Sequence, residues 1–205
     1  VARNSKAKGK IVRRFGINIF GNPKYDRLLK KKPNGPGNPK RGRVRQTEYG
    51  RQLVEKQKLK FCYGLSERQF RNCFDHAKTL KGVTGDNMLI LLERRLDNVV
   101  YRLGMATSRS QARQIVGHGH ITINGKKVNI PSALVREGDK IGVTQKKGTN
   151  DLVRRLLADN ASRPVPPWLS ISKDELSGTV NALPTRDAIP TIADEQLVVE
   201  YYAKV

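Results

Sequence analysis

"TSRSQARQIVGHGHITINGKKV" (107–128) decides what kind of domain this chain builds. Ser108 and Gln111 have the capping-box spacing, in which serine and glutamine satisfy each other's backbone donors, so a short helix is predicted to begin near Arg109. Ala112, Ile115 and Val116 give that helix a buried face. Ile121 and Ile123 then alternate with Thr122 and Asn124, a strand pattern that runs into Asn124-Gly125. Asn-Gly is the favoured two-residue hairpin turn because both positions accept positive φ. With a third strand candidate in "VREGDKIGV" (135–143), the stretch predicts two helices packed on a small antiparallel sheet, an α+β unit.

The same stretch carries charge. Arg109 and Arg113, at i and i+4, are expected to share an exposed face about one turn apart. Guanidiniums so placed grip neighbouring phosphates with forked donors; the alternative is a solvated basic face. The hairpin tip places Lys126 and Lys127 together and clear of the core. His118 and His120 flank Gly119, but a zinc site needs three or four ligands and no third lies nearby, so they are expected to close the helix-to-strand turn. "GHGH" is not a G-x-x-x-x-G-K-[ST] phosphate loop, and no strand precedes it. Contact with nucleic acid remains.

Upstream, residues 84–104 read as one helix with an apolar stripe of Leu89, Leu92, Leu96, Val99, Val100 and Leu103, leaving Arg94, Arg95, Asn98 and Arg102 on other faces. Residues 47–81 read as helices, with Gly64 as a stop and "SERQ" (66–69) as a second capping box. Behind it Phe70, Cys73, Phe74, Ala77 and Leu80 form a stripe, with Arg68, Arg71, Asp75 and Lys78 away from it. Cys73 and His76 make C-x-x-H, but two ligands do not make a zinc site. Residues 1–45 read as a basic arm whose ordering waits for a partner. Phe15, Phe20 and Tyr25 in it serve either as hydrophobic anchors or as platforms for stacked bases. Downstream, "SRPVPPWLSI" reads as an extended linker ending in a packing anchor, Trp168. "DEQLVVEYYAKV" suits a helix capped at Asp194, yet its valines and tyrosines also suit a strand.

Charge limits the function classes. The 205 residues hold 40 Lys+Arg against 18 Asp+Glu, a net +22, which opposes compaction until a polyanion neutralises it. The excess is uneven: residues 1–60 carry +16, whereas 148–205 carry −2. One surface for a polyanion and another for water or a protein neighbour follow. Two cysteines make no disulfide framework, so a reducing compartment is expected. The longest apolar run, "MLILL" (88–92), is too short to span a bilayer, and the start has no apolar stretch for a signal peptide, so no membrane partner is expected. The acidic residues after 148 form no acid–base or nucleophile arrangement, so no enzyme is predicted.

"RRLDNVVYRLGMATSRSQARQIVGHGHITINGKKVNI" (94–130) resembles the RNA-binding module of the family named after ribosomal protein S-four of the bacterial small subunit. Similar modules occur on pseudouridine synthases, tyrosyl-tRNA synthetases and a heat-shock RNA binder. "EYGRQLVEKQKLKFCYGLSERQFRN" (48–72), "PPWL" (166–169) and "LVVEYYAK" (197–204) are similar to the ribosomal family itself. The resemblance implies a basic extended N-terminal arm (1–45), a helical domain (46–92, completed by 180–205), the inserted RNA-binding module (93–150) and an extended linker region (151–179). It implies a primary 16S rRNA binder that nucleates assembly of the 5′ domain, cytoplasmic in the ribosome. Ribosomal proteins S-five and S-three are its implied neighbours, with a contribution to translational accuracy. The "KRGRVR" stretch (40–45), with Arg41, Arg43 and Arg45, is implied to lie by the channel through which mRNA enters. The alternative is a free-standing RNA chaperone or translational regulator. The candidate RNA-binding residues are Arg13, Arg14, Arg41, Arg43, Arg45, Arg68, Arg71, Arg102, Arg109, Arg113, His118, Lys126 and Lys127. Many members of the family bind zinc through cysteines near the start. Here none precedes Cys62, so no metal and no cofactor is expected.

Overall fold

A computed structural model of the chain describes residues 6–37, 47–172, 174–190 and 192–204. It is an α+β protein whose chain divides into two compact units. One runs from His76 to Pro190; the other holds the residues up to Asp75 together with the C-terminal segment. Among the described residues no helix is long and apolar enough to cross a membrane.

The N-terminal part departs from the extended arm expected of it. Residues Lys8–Phe15 form α1 and Pro23–Lys31 form α2. Gly16 ends α1 at φ 70°, where a side chain would be strained. Asn22 caps α2 by accepting from Lys24 N, with Pro23 in the first turn where its missing N–H costs nothing. Ile11, Ile19 and Phe61 make a small buried cluster, with Phe15 and Phe20 packed against it. The phenylalanines are anchors in the fold, and Tyr25 lies against Phe20 at 5.6 Å. Arg13 donates to the carbonyls of Asn34 and Gly35, tying the following loop back to α1. Charge density concealed these helices because the apolar residues that hold them are few and widely spaced. Arg41, Arg43 and Arg45 lie outside the described residues.

Helix α3 (Glu48–Cys62) starts at Thr47, whose hydroxyl accepts from Gly50 N. Helix α4 (Glu67–Thr79) starts at the predicted box, with Ser66 and Gln69 each accepting the other's N–H at 3.3 Å. Leu80, placed on its stripe by spacing, lies past the helix end and is exposed. The C-terminal segment is a helix, α9 (Glu195–Ala203), because Asp194 takes the N–H groups of Gln196 and Leu197. It packs on α3: Gln52 donates to Glu200 at 2.9 Å and Tyr49 meets Tyr201 at 5.5 Å. Tyr202 stacks on Phe74 at 4.7 Å. Lys56, 3% exposed, reaches Glu67 at 2.6 Å beneath these rings.

The other unit breaks the helix expected over 84–104. Helices α5 (Thr84–Glu93) and α6 (Leu96–Arg102) are separated by Arg94 and by Arg95, whose backbone is extended. No proline or glycine causes the break. Instead the backbone of 94–97 pairs with residues 131–135: Leu96 N bonds Ala133 O, Asp97 N bonds Pro131 O, and Val135 N bonds Arg94 O. Helix α7 (Arg109–Gly117) follows, then strands β1 (Ile121–Ile123), β2 (Lys126–Val128) and β3 (Lys140–Val143). The turn forms as predicted, with Asn124 at φ 50° and Gly125 at φ 78°, pairing Ile123 with Lys126.

Residues 151–179 do not form an extended linker. They contain most of helix α8 (Lys147–Asp159) and strands β4 (Leu169–Ser172) and β5 (Ser177–Val180). The sheet is antiparallel throughout, in the order β2-β1-β3-β5-β4, so the late strands extend the hairpin sheet through the β3–β5 pairing. Val153, Leu156, Leu157, Trp168, Leu169 and Val180 enter one core with α6, α7, β1 and β3. Prolines 164, 166 and 167 confine irregular backbone to a few residues rather than to the whole segment.

Candidate nucleic-acid interface

Five arginines lie between 94 and 113, two in the break before α6 and three on α6 and α7, and the fold divides their fates. Glu93, 1% exposed, receives Arg102 through two bonds at 2.9 and 2.8 Å. Asp97, 3% exposed, receives Arg95 at 3.1 and 3.0 Å and Arg113 at 2.9 and 2.7 Å. Forked pairs of this kind are short and directional, and a carboxylate this deep requires them. The exposed grip expected of Arg109 and Arg113 is therefore corrected. Arg113 is 9% exposed and faces inward, because α6 delivers Asp97 to that side of α7. Arg102 is likewise engaged with a buried acid. Spacing within α7 puts the two arginines on one face but cannot say that the neighbouring helix holds an acid there.

Arg109 differs. It is half-buried, donates from Nε to Asn98 Oδ1 at 2.8 Å, and lies over the Tyr101 ring at 4.6 Å, where Arg163 also sits at 4.4 Å. Asn98 is itself buried and donates to the Glu93 carboxylate at 2.8 Å, so the amide links Arg109 to the Arg102 pair. Ser108 caps α7 by accepting from Gln111 N, but Gln111 reaches Thr107 rather than Ser108, so the predicted box closes one residue early.

The turn and the hairpin carry exposed cations. Lys126, Lys127 and His118 are exposed. His120 is half-buried, with Nδ1 3.0 Å from Thr149 Oγ1. Burial, then the charges of His118, Lys146 and Lys127, push its pKa below the usual histidine value. Lys146 and Lys147, exposed at the start of α8, were missed by sequence reasoning. Their signal was a helix start with no acidic residue, hidden because the helix itself went unread. In the other unit, Arg14, Arg68 and Arg71 are exposed, whereas Arg13 is half-buried on its loop carbonyls. Among the described residues no group of three His, Cys, Asp or Glu could hold a metal ion, and Cys62 and Cys73 are half-buried and in no disulfide.

Inward arginines matched to acids, with outward lysines, histidine and arginine left to the surface, define a protein built to hold a polyanion. Residues 3–93 match the family model described as the ribosomal protein S4/S9 N-terminal domain, and residues 94–141 match the S4 domain. The boundary between the two matches falls at the break after α5. The chain is 55% identical over 204 residues to the small ribosomal subunit protein uS4 of Borrelia hermsii, covering 98% of each. It is 54% identical to that of Borreliella burgdorferi over the same length. To the Treponema denticola protein it is 52% identical over 199 residues, 96% of each chain. The chain belongs to the uS4 family of small ribosomal subunit proteins.

Proposed function

We propose that this chain is a structural component of the small ribosomal subunit that binds 16S rRNA, works in the cytoplasm within the ribosome, and carries no catalytic step. The observation that carries this reading is the division of cations. The unit spends carboxylates on the arginines it buries, yet among the described residues no ion pair engages Lys126, Lys127, His118, Lys146 or Lys147 at its surface, in a chain of net +22. Folded RNA is recognised mainly through phosphates, sugars and helix shape, which such a surface suits. Arg109 on this unit, and Arg14, Arg68 and Arg71 on the other, are the arginines proposed for RNA contact. Arg102, Arg113 and Arg13 act by holding the surface in place.

The finer role follows the family. The chain is proposed to bind 16S rRNA early and nucleate the 5′ domain, to contribute through Arg41, Arg43 and Arg45 to the path of entering mRNA and to accuracy, and to neighbour ribosomal proteins S-five and S-three. Chemical footprinting of naked 16S rRNA with the full chain tests this. Protection confined to converging helices of the 5′ domain is expected. Protection scattered over the whole molecule, or a chain that washes off intact small subunits in moderate salt, would instead favour a free-standing RNA chaperone.

A further inference from the structure

The turn His118–Gly119–His120, which leads from α7 into β1, gathers positive charge from three elements. The two imidazole rings are 6.0 Å apart. Lys127 of β2 lies across Gly119 so closely that a Cβ there would stand 2.3 Å from its Cε and 3.0 Å from its Nζ. Helix α8 brings Lys146 at its N-cap, with no side-chain cap bond and no acidic residue in the first turn. Thr149 fixes one imidazole by its contact with His120 Nδ1, and Thr144 N bonds the His120 carbonyl. The charged groups that act on His120 are His118, Lys146 and Lys127, and each is a cation or becomes one on protonation.

Several other cations of the unit are paired. Arg95, Arg102 and Arg113 each have a buried acid, and even exposed Lys140 has Glu175 at 2.7 Å. A cationic cluster drawn together by three elements, with no ion pair to a carboxylate among the described residues, is complementary to an anion brought from outside. The cluster also contains its own sensor. Burial first, and then the cations around it, disfavour the protonated form of His120. An anion beside it would act against both and favour the imidazolium.

We propose that this turn, together with Lys127 and Lys146, seats one phosphodiester of the bound RNA, and that seating it draws a proton from solvent onto His120. The proposal rests on the RNA-binding reading above and adds a proton to the binding reaction. Affinity then rises as pH falls from about 8 to about 6, by several-fold but less than about tenfold if the phosphate raises the His120 pKa by about one unit.

The test is binding of the full chain to 16S rRNA at fixed ionic strength across that pH range, for the native protein and for the His118→Gln, His120→Gln double variant. Tighter native binding at low pH, with a flat profile in the double variant, is expected. Native binding that stays measurable but flat with pH would overturn the proton linkage and leave the RNA reading standing; so would a slope that survives in the double variant. Absence of binding at every pH would overturn both. Histidine proton NMR on the free protein supplies a readout without RNA: Lys146→Gln should raise the His120 pKa, and an unmoved titration would dissolve the cluster. Inorganic phosphate is the last arm. If it raises that pKa as much as RNA does, the seat belongs to free anions and the RNA assignment fails.

Discussion

Arg113→Ala separates an arginine that holds the fold from one that touches RNA. Arg113 places two bonds of 2.9 and 2.7 Å on Asp97, whose side chain is 5% exposed. Breaking a buried pair costs about 3–5 kcal/mol when the remaining charge is stranded. Arg95 still holds Asp97 at 3.1 and 3.0 Å, so the low end applies, about 3 kcal/mol. The chain's single tryptophan, Trp168, is 4% exposed in the same core, so its fluorescence reports unfolding of this unit alone. With a urea slope of about 2 kcal/mol per molar, the midpoint should fall by about 1.5 M. Lys126→Ala, at an exposed position, should change stability by less than about 0.5 kcal/mol. An Arg113→Ala protein that melts like the native one yet binds RNA weakly would refute the inward assignment.

Other outcomes are equally specific. Lys126→Ala with Lys127→Ala should lower the slope of log affinity against log salt by about 1–2 while leaving the Trp168 midpoint in place, as removal of one or two phosphate contacts requires. Gly178→Ala would put a Cβ 2.5 Å from Cδ2 of buried Leu103 and should cost about 1–3 kcal/mol in the same unfolding assay. Gly148→Ala, in the first turn of α8 with open space around it, should instead stabilise by a few tenths to about 1 kcal/mol. Glu67 gives a pH prediction. Burial opposes its ionisation, but bonds from Lys56, Lys60 and Tyr202 outweigh this and hold its pKa at about 2, below the ordinary 4.5. Its contribution is present above pH 4.5 and is lost as pH falls toward 2, so helical circular dichroism should show acid destabilisation over that window, absent in Glu67→Gln.

What was legible in the chain was local. Ser66-Gln69 and Asn124-Gly125 act within four residues, and the structure carries both as read. The helix break at Arg95 was not legible, because it is made by pairing with residues 131–135, far along the chain. The direction of Arg113 was hidden for the same reason: periodicity orders residues around one helix, and Asp97 comes from another. Helix α8 was readable in Val153, Leu156 and Leu157 but was overshadowed by the prolines that follow. The two N-terminal helices were overshadowed by lysine and arginine, since charge density speaks about solvent and Phe15, Ile19 and Phe61 speak about packing. Among the site residues, the hairpin lysines were found because a turn exposes its own tip; Lys146 was missed because its helix was.

The most direct measurement is the affinity of the full chain for 16S rRNA as a function of salt. Neutralising about 6–10 phosphates predicts a linear fall of log affinity with log salt, on the order of a thousandfold or more between 50 and 200 mM. Affinity that barely changes over that range would contradict the claim that these surface cations exist to hold RNA.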